Sequence, residues 1–190
     1  SRGLELWAEE NLEPGHPARD IEWNMGDIVT TMIRCYNGET VVMSFDTHAP
    51  RPYSNMRRVQ GTKGIWLQNG IATSKSESLI YLEGKSPHHQ WENFNSYQKK
   101  YEHPLWKNFL EEGVVEGHGG GGFLKVRGFI EAIRRQEPMP IDTYDTAAWK
   151  ALSPLTEQSI HLGSQPVDFP DFTNRRWMTN EPLFGLTEDY

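Results

Sequence analysis

Residues 27–48, DIVTTMIRCYNGETVVMSFDTH, decide the fold class. Residues 27–35 are rich in β-branched side chains, 36–39 (YNGE) carry an Asn-Gly turn signal, and 40–48 alternate again. β-Branched residues fit a pleated surface, and Asn-Gly tolerates the positive φ of a tight turn. The stretch predicts an antiparallel hairpin.

Working outward, Pro50 and Pro52 break any ladder that follows the hairpin. Residues 56–60 and 63–68 read as two short strands joined at Gly61-Thr62, with Asn69-Gly70 turning next and 78–83 (SLIYLE) as a further strand. The first half is thus an antiparallel meander of about five or six strands, an ordinary sheet size. Upstream, residues 4–10 form a short element and then an ordered loop with Pro14 and Pro17.

The second half is helical. Residues 91–103 and 105–112 are separated by Pro104. Residues 123–136 place Phe123, Val126, Ile130 and Ile133, with Phe129, on one face at helical spacing. Asp142 is placed to cap a helix over 143–161, with Asp145 near its positive end. That helix is expected to bury Ala147, Ala148, Leu152 and Leu155 and to kink at Pro154. Strands first and helices afterwards predict an α+β fold, an open and largely antiparallel sheet with helices packed on one face. Residues 1–26 are then a lead-in segment, 27–173 a substrate and oligomerisation domain, and 174–190 a C-terminal arm.

Bulk properties narrow the function. At 190 residues the chain can bury a real core. A net charge of −7 and a pI near 5.5 argue against nucleic acid or an anionic membrane as main partner. No apolar run reaches the ~20 residues of a spanning helix. Cys35 is alone, so no disulfide framework or cysteine metal site is expected, and neither the redox state nor the compartment, periplasmic or cytoplasmic, is readable. In its strand Cys35 reads as a buried small hydrophobe. The chain opens with Ser1 rather than Met, the mark expected of a processed protein or a piece of a longer one.

Two stretches carry candidate chemistry. Residues 117–122 (GHGGGG) contain a literal G-x-G-x-x-G. A dinucleotide site needs that motif between a strand and a helix within a parallel βαβ unit. Here Val114-Val115 is barely a strand, and Pro138, Pro140 and another helix follow. The Walker form fails because Phe123 stands where Lys is required. What remains is a flexible surface loop, or a glycine loop whose bare backbone meets a neutral ligand with His118 as the polar group. The second stretch, 46–54 (DTHAPRPYS), ends the strongest strand. Its prolines stiffen a turn that projects Arg51, able to fork onto hydroxyls or a carboxylate, and Tyr53, able to pass a proton. The plainer reading is a proline turn with a half-buried tyrosine.

Other groupings are weaker. His88-His89 with His103 match no metal-ligand spacing. The 26 acidic residues single out no glycosidase pair. No nucleophile elbow is present. Trp66, Trp106 and Trp149 read as core.

Residues 46–54 (DTHAPRPYS), 59–64 (VQGTKG), 117–120 (GHGG), 144–149 (YDTAAW) with Ser153-Pro154-Leu155, and 167–173 (VDFPDFT) occur in this order. Together they resemble the C-terminal domain of glycoside hydrolase family 109, the α-N-acetylgalactosaminidase branch of the glucose–fructose oxidoreductase / inositol dehydrogenase superfamily. The resemblance covers about residues 25–173. It implies an N-terminal Rossmann domain carrying NAD that is absent from this chain, a sugar substrate, a homo-oligomer, and no activity from the chain alone. The implied chemistry is redox-assisted hydrolysis: oxidation at sugar C3, elimination across C1–C2, water addition and re-reduction. It needs no carboxylate pair. By the same resemblance Tyr53 and His118 are catalytic, while Arg51, Gly117, Gly119, Gly120 and Tyr144 bind substrate. After GHGG the family continues with Met-Asp-Phe or similar, whereas Gly121-Gly122-Phe123 stands here, and His48-Ala49 replace small hydroxylated residues. A sugar oxidoreductase of the same superfamily, or a sheet-mediated dimerisation module, are the competing expectations.

Overall fold

A computed structural model describes residues 1–46, 48–52, 54–68, 78–111 and 121–180. The class is α+β, with every strand pair antiparallel, as the sequence predicts. The chain gathers into two compact units, Ser1–Phe94 and Asn95–Tyr190.

The first unit opens with helix α1, Arg2–Asn11. The Ser1 hydroxyl accepts from the Leu4 amide at 3.2 Å, satisfying one of the unpaired donors of the first turn. Ala8 is buried, and Arg19 of the 3-10 turn Pro17–Arg19 donates to the Leu12 carbonyl at 2.9 Å, closing the helix end. Strands β1 (Ile28–Arg34) and β2 (Thr40–Asp46) form the expected hairpin, in register from Ile28 opposite Asp46 to Arg34 opposite Thr40. Its turn is closed by Cys35 N–H to the Glu39 carbonyl at 2.8 Å, and Gly38 takes φ +99°. An L side chain there would be strained. Cys35 lies in that turn just past β1 and is half-buried, so it is neither a strand residue nor core.

Strands β3 (Arg58–Gly61), β4 (Gly64–Leu67), β5 (Leu79–Leu82) and β6 (Glu92–Asn93) form a four-stranded meander. The strands therefore divide into a two-stranded ribbon and a separate sheet. The prolines at 50 and 52 sit between them, where a residue lacking an amide donor ends pairing. Gly64 is obligatory, because a Cβ there would lie 2.6 Å from the Tyr81 carbonyl oxygen. Trp66 packs edge-on against Phe94 at 6.3 Å. The Asn69-Gly70 turn lies outside the described residues.

In the second unit, α2 (Asn95–Tyr101) and α3 (Pro104–Glu111) are separated where expected, with Pro104 at the start of α3. Helix α4 spans Gly121–Arg135 and α5 spans Thr143–His161. The core joins Leu105, Phe109 and Leu124, flanked by Trp106 and Phe123. Asp142 caps α5 through a reciprocal box: its carboxylate accepts from Asp145 N–H at 2.8 Å, and Asp145 accepts from the Asp142 amide at 3.2 Å. The helix continues on both sides of Pro154.

Two expected faces are corrected. Helix α4 buries Leu124, Gly128 and Ala132, while Val126, Phe129, Ile130 and Ile133 are exposed. Glycine and alanine allow a close backbone approach, so the face with the smaller side chains turns inward, although the neighbouring stripe is more hydrophobic. On α5, Ala147, Ala148, Leu152 and Leu155 are only half-buried, the buried position is Thr156, and Trp149 is exposed. One half-buried stripe suffices for a helix packed along one side.

Candidate functional site at the end of strand β2

The segment following β2 is built by hydrogen bonding. Arg51 Nε donates to Asp46 Oδ2 at 2.5 Å and Nη2 donates to the Asp46 carbonyl at 3.0 Å. Nη1 donates to the carbonyls of Pro52 at 3.2 Å and Ser54 at 3.1 Å. The guanidinium therefore spends most of its donors on its own loop. Such a fork fixes both ends of the turn at once, which a lysine could not do. Two prolines within the turn restrict it further. Asp46 Oδ1 is buried and has no hydrogen-bond partner among the described residues.

Beside this loop stands a polar cluster that no sequence motif announces. His48 Nε2 lies 2.5 Å from Asp27 Oδ1 and 2.7 Å from Ser1 Oγ, and Ser1 Oγ donates to Asp27 Oδ1 at 2.6 Å. The Gly3 amide donates to the same carboxylate oxygen at 3.0 Å. The Ser1 hydroxyl, then His48, then the Gly3 amide hold the Asp27 carboxyl at a pKa of about 2. A Cβ on Gly3 would come within 2.7 Å of His48 Cδ2, so the glycine lets α1 seat against the imidazole. The cluster was findable through register: Ile28 pairs with Asp46, so Asp27 and His48 flank the same end of the hairpin.

Tyr144 lies in the first turn of α5. Its hydroxyl accepts from Arg176 Nη2 at 2.7 Å, and the guanidinium carbon lies 5.4 Å from the ring centre. Arg176 follows a turn organised by Asp171, which accepts from Thr173 N–H at 2.9 Å, Thr173 Oγ1 at 2.8 Å and Arg175 N–H at 2.6 Å. The bonds from Thr173 hold the Asp171 carboxyl below its usual range.

Arg51 belongs to the first unit and Tyr144 to the second. Tyr53, Gly117, His118, Gly119 and Gly120 lie outside the described residues. His88 and His89 stack at 3.8 Å, and His103 Nδ1 accepts from the Leu105 amide at 3.2 Å. Among the described residues no three His, Cys, Asp or Glu side chains gather closely enough to hold a metal ion.

The described residues define an α+β protein with antiparallel strand pairs. Residues 1–179 match the family described as glycosyl hydrolase 109, C-terminal domain, and the chain belongs to it. It is 45% identical over 175 residues to a glycosyl hydrolase family 109 protein of Stenotrophomonas maltophilia, covering 92% of this chain and 37% of the relative. It is 44% identical over 186 residues to an alpha-N-acetylgalactosaminidase of Tannerella forsythia, covering 98% and 38%. A glycosyl hydrolase family 109 protein of Parabacteroides distasonis is 43% identical over 186 residues, with 98% and 38% covered. The chain spans a little over a third of the length of these relatives.

Proposed function

We propose that the full-length protein is an NAD-dependent glycosidase acting on an α-N-acetylgalactosaminide, and that this domain supplies the sugar-facing wall. The observation that carries the reading is the family match across residues 1–179, together with 44% identity to a relative named alpha-N-acetylgalactosaminidase. The strand pairs among the described residues are antiparallel, whereas a dinucleotide fold is built on parallel βαβ units, which supports placing the nucleotide elsewhere. On this reading NAD sits in a Rossmann domain outside the chain.

The work left to this chain is orientation and proton transfer. Arg51 is tied to Asp46, Pro52 and Ser54, on either side of position 53 in the sequence. Tyr53 is assigned a proton-transfer role through the family resemblance, and position is the main requirement of such a group. His118 is assigned the second proton-transfer role. Gly117, Gly119, Gly120, Arg51 and Tyr144 are assigned substrate-binding roles through the family resemblance.

Turnover of para-nitrophenyl α-N-acetylgalactosaminide by the full-length protein tests the assignment. Tyr53→Phe is expected to lower kcat by about 10²- to 10⁴-fold, the usual worth of a positioned acid or base. Unchanged turnover would remove Tyr53 from the chemistry. Net accumulation of NADH with free sugar would instead identify a dehydrogenase.

A further inference from the structure

The four-stranded sheet carries a concavity of its own. Its ladder sets Ile65 opposite Tyr81 and Ile80 opposite Glu92. Continuing that register by one residue puts Trp91 opposite Tyr81. Directly opposed residues in an antiparallel pair project from one face of the sheet. Ile65, Tyr81 and Trp91 thus form a row, and with His89 and Gln90 they line a cleft of about 300 Å³. The cleft is shallow and open to solvent, so a ligand would lie against the sheet and not be enclosed by it.

The cleft is largely aromatic, and none of its described lining residues is Lys, Arg, Asp or Glu. Trp91 is 48% exposed although it is the largest apolar side chain in the row. Partial burial first, and then the charge of Glu83, push the Tyr81 phenol up, so it stays neutral and donates to Glu83 Oε2 at 3.3 Å. His89 holds a left-handed backbone at φ +56°, and its ring is stacked on His88.

We propose that this cleft is a non-catalytic carbohydrate site for a neutral pyranose of the N-acetylhexosamine class. A pyranose has a face of C–H groups and a rim of hydroxyls. Aromatic rings with electron-rich faces suit the first. The Gln90 amide and the His89 imidazole, each able to donate and accept, suit the second. Ile65 offers an apolar contact for an acetyl methyl. Phosphates and acidic peptides are disfavoured, since they need a cation and none of the described lining residues is Lys or Arg. The proposal rests on membership of a glycosidase family and not on the assigned catalytic groups.

Equilibrium titration of the full-length protein with N-acetylgalactosamine tests it, because binding is read without turnover. The expected result is a second equivalent of sugar that Trp91→Ala weakens by about tenfold or more and Trp91→Phe retains. Turnover of the para-nitrophenyl glycoside should be unchanged in both. Should Trp91→Ala fail to fold, Gln90→Ala, at an exposed position, is expected to weaken the same equivalent. Absence of a second equivalent in the parent protein, or its persistence in Trp91→Ala, would overturn the proposal. So would dissociation of an oligomer by Trp91→Ala, since the occupant would then be a second copy of the chain.

Discussion

Asp27 concentrates donors from three directions: the Ser1 hydroxyl, the Gly3 amide and the His48 ring. Its carboxyl titrates near 2 instead of 3.8. With the folded value below the unfolded one, the unfolded chain takes up the proton first. The resulting stabilisation is complete above pH 3.8 and disappears as the pH falls towards 2. Asp27→Asn is therefore expected to melt earlier than the parent at neutral pH but to lose less stability across that acid interval. Melting curves through the interval check it. Arg51 gives a second prediction at this scale. Arg51→Lys keeps the charge and loses the fork that ties Asp46 to Pro52 and Ser54. Loosening this segment should lower kcat/KM of the full-length protein by about ten- to a hundredfold while leaving its melting temperature nearly unchanged.

At the scale of elements, local chemistry marks ends and nonlocal packing chooses faces. The capping box of α5 is a local signal, and Asp142→Ala should cost about 1 kcal/mol, measured by denaturant unfolding. The β1–β2 hairpin and the limits of α5 were legible because Asn37-Gly38 and Asp142 act within a few residues of themselves. The inward face of α4 was not, because periodicity rewards large side chains whereas this helix packs through Gly128 and Ala132. Ala132 is wholly buried, so Ala132→Leu is expected to destabilise by about 1–3 kcal/mol through overpacking. The division of the strands into two sheets was half-visible: Pro50 and Pro52 announced the break, and which strands would pair beyond it required the fold. Of the candidate site, the proline turn was readable from the sequence, and the bonds of Arg51 to its own segment were not. The Asp27–His48 contact joins residues 21 apart in sequence and depends on hairpin register.

For the whole molecule, the chain is a little over a third of its relatives' length. On the reading proposed here, full-length protein stripped of NAD should lose turnover and regain it when NAD+ is added back. Recovery without the nucleotide would sink that reading.

The described core is shallow. Ala8, Leu105, Phe109, Leu124 and Ala132 are its buried hydrophobic residues, and none of the large side chains is completely enclosed. Met32, Val42, Val126 and Ile133 all remain more than half exposed. The consequence is calorimetric. The heat-capacity increment of unfolding follows the apolar surface newly wetted, typically about 12–15 cal/mol/K per residue. A chain whose described residues leave so much apolar surface wet when folded has less to add on melting. Its stability curve against temperature should be flatter than that of an ordinary domain of this size. Scanning calorimetry of the chain should give an increment below that range.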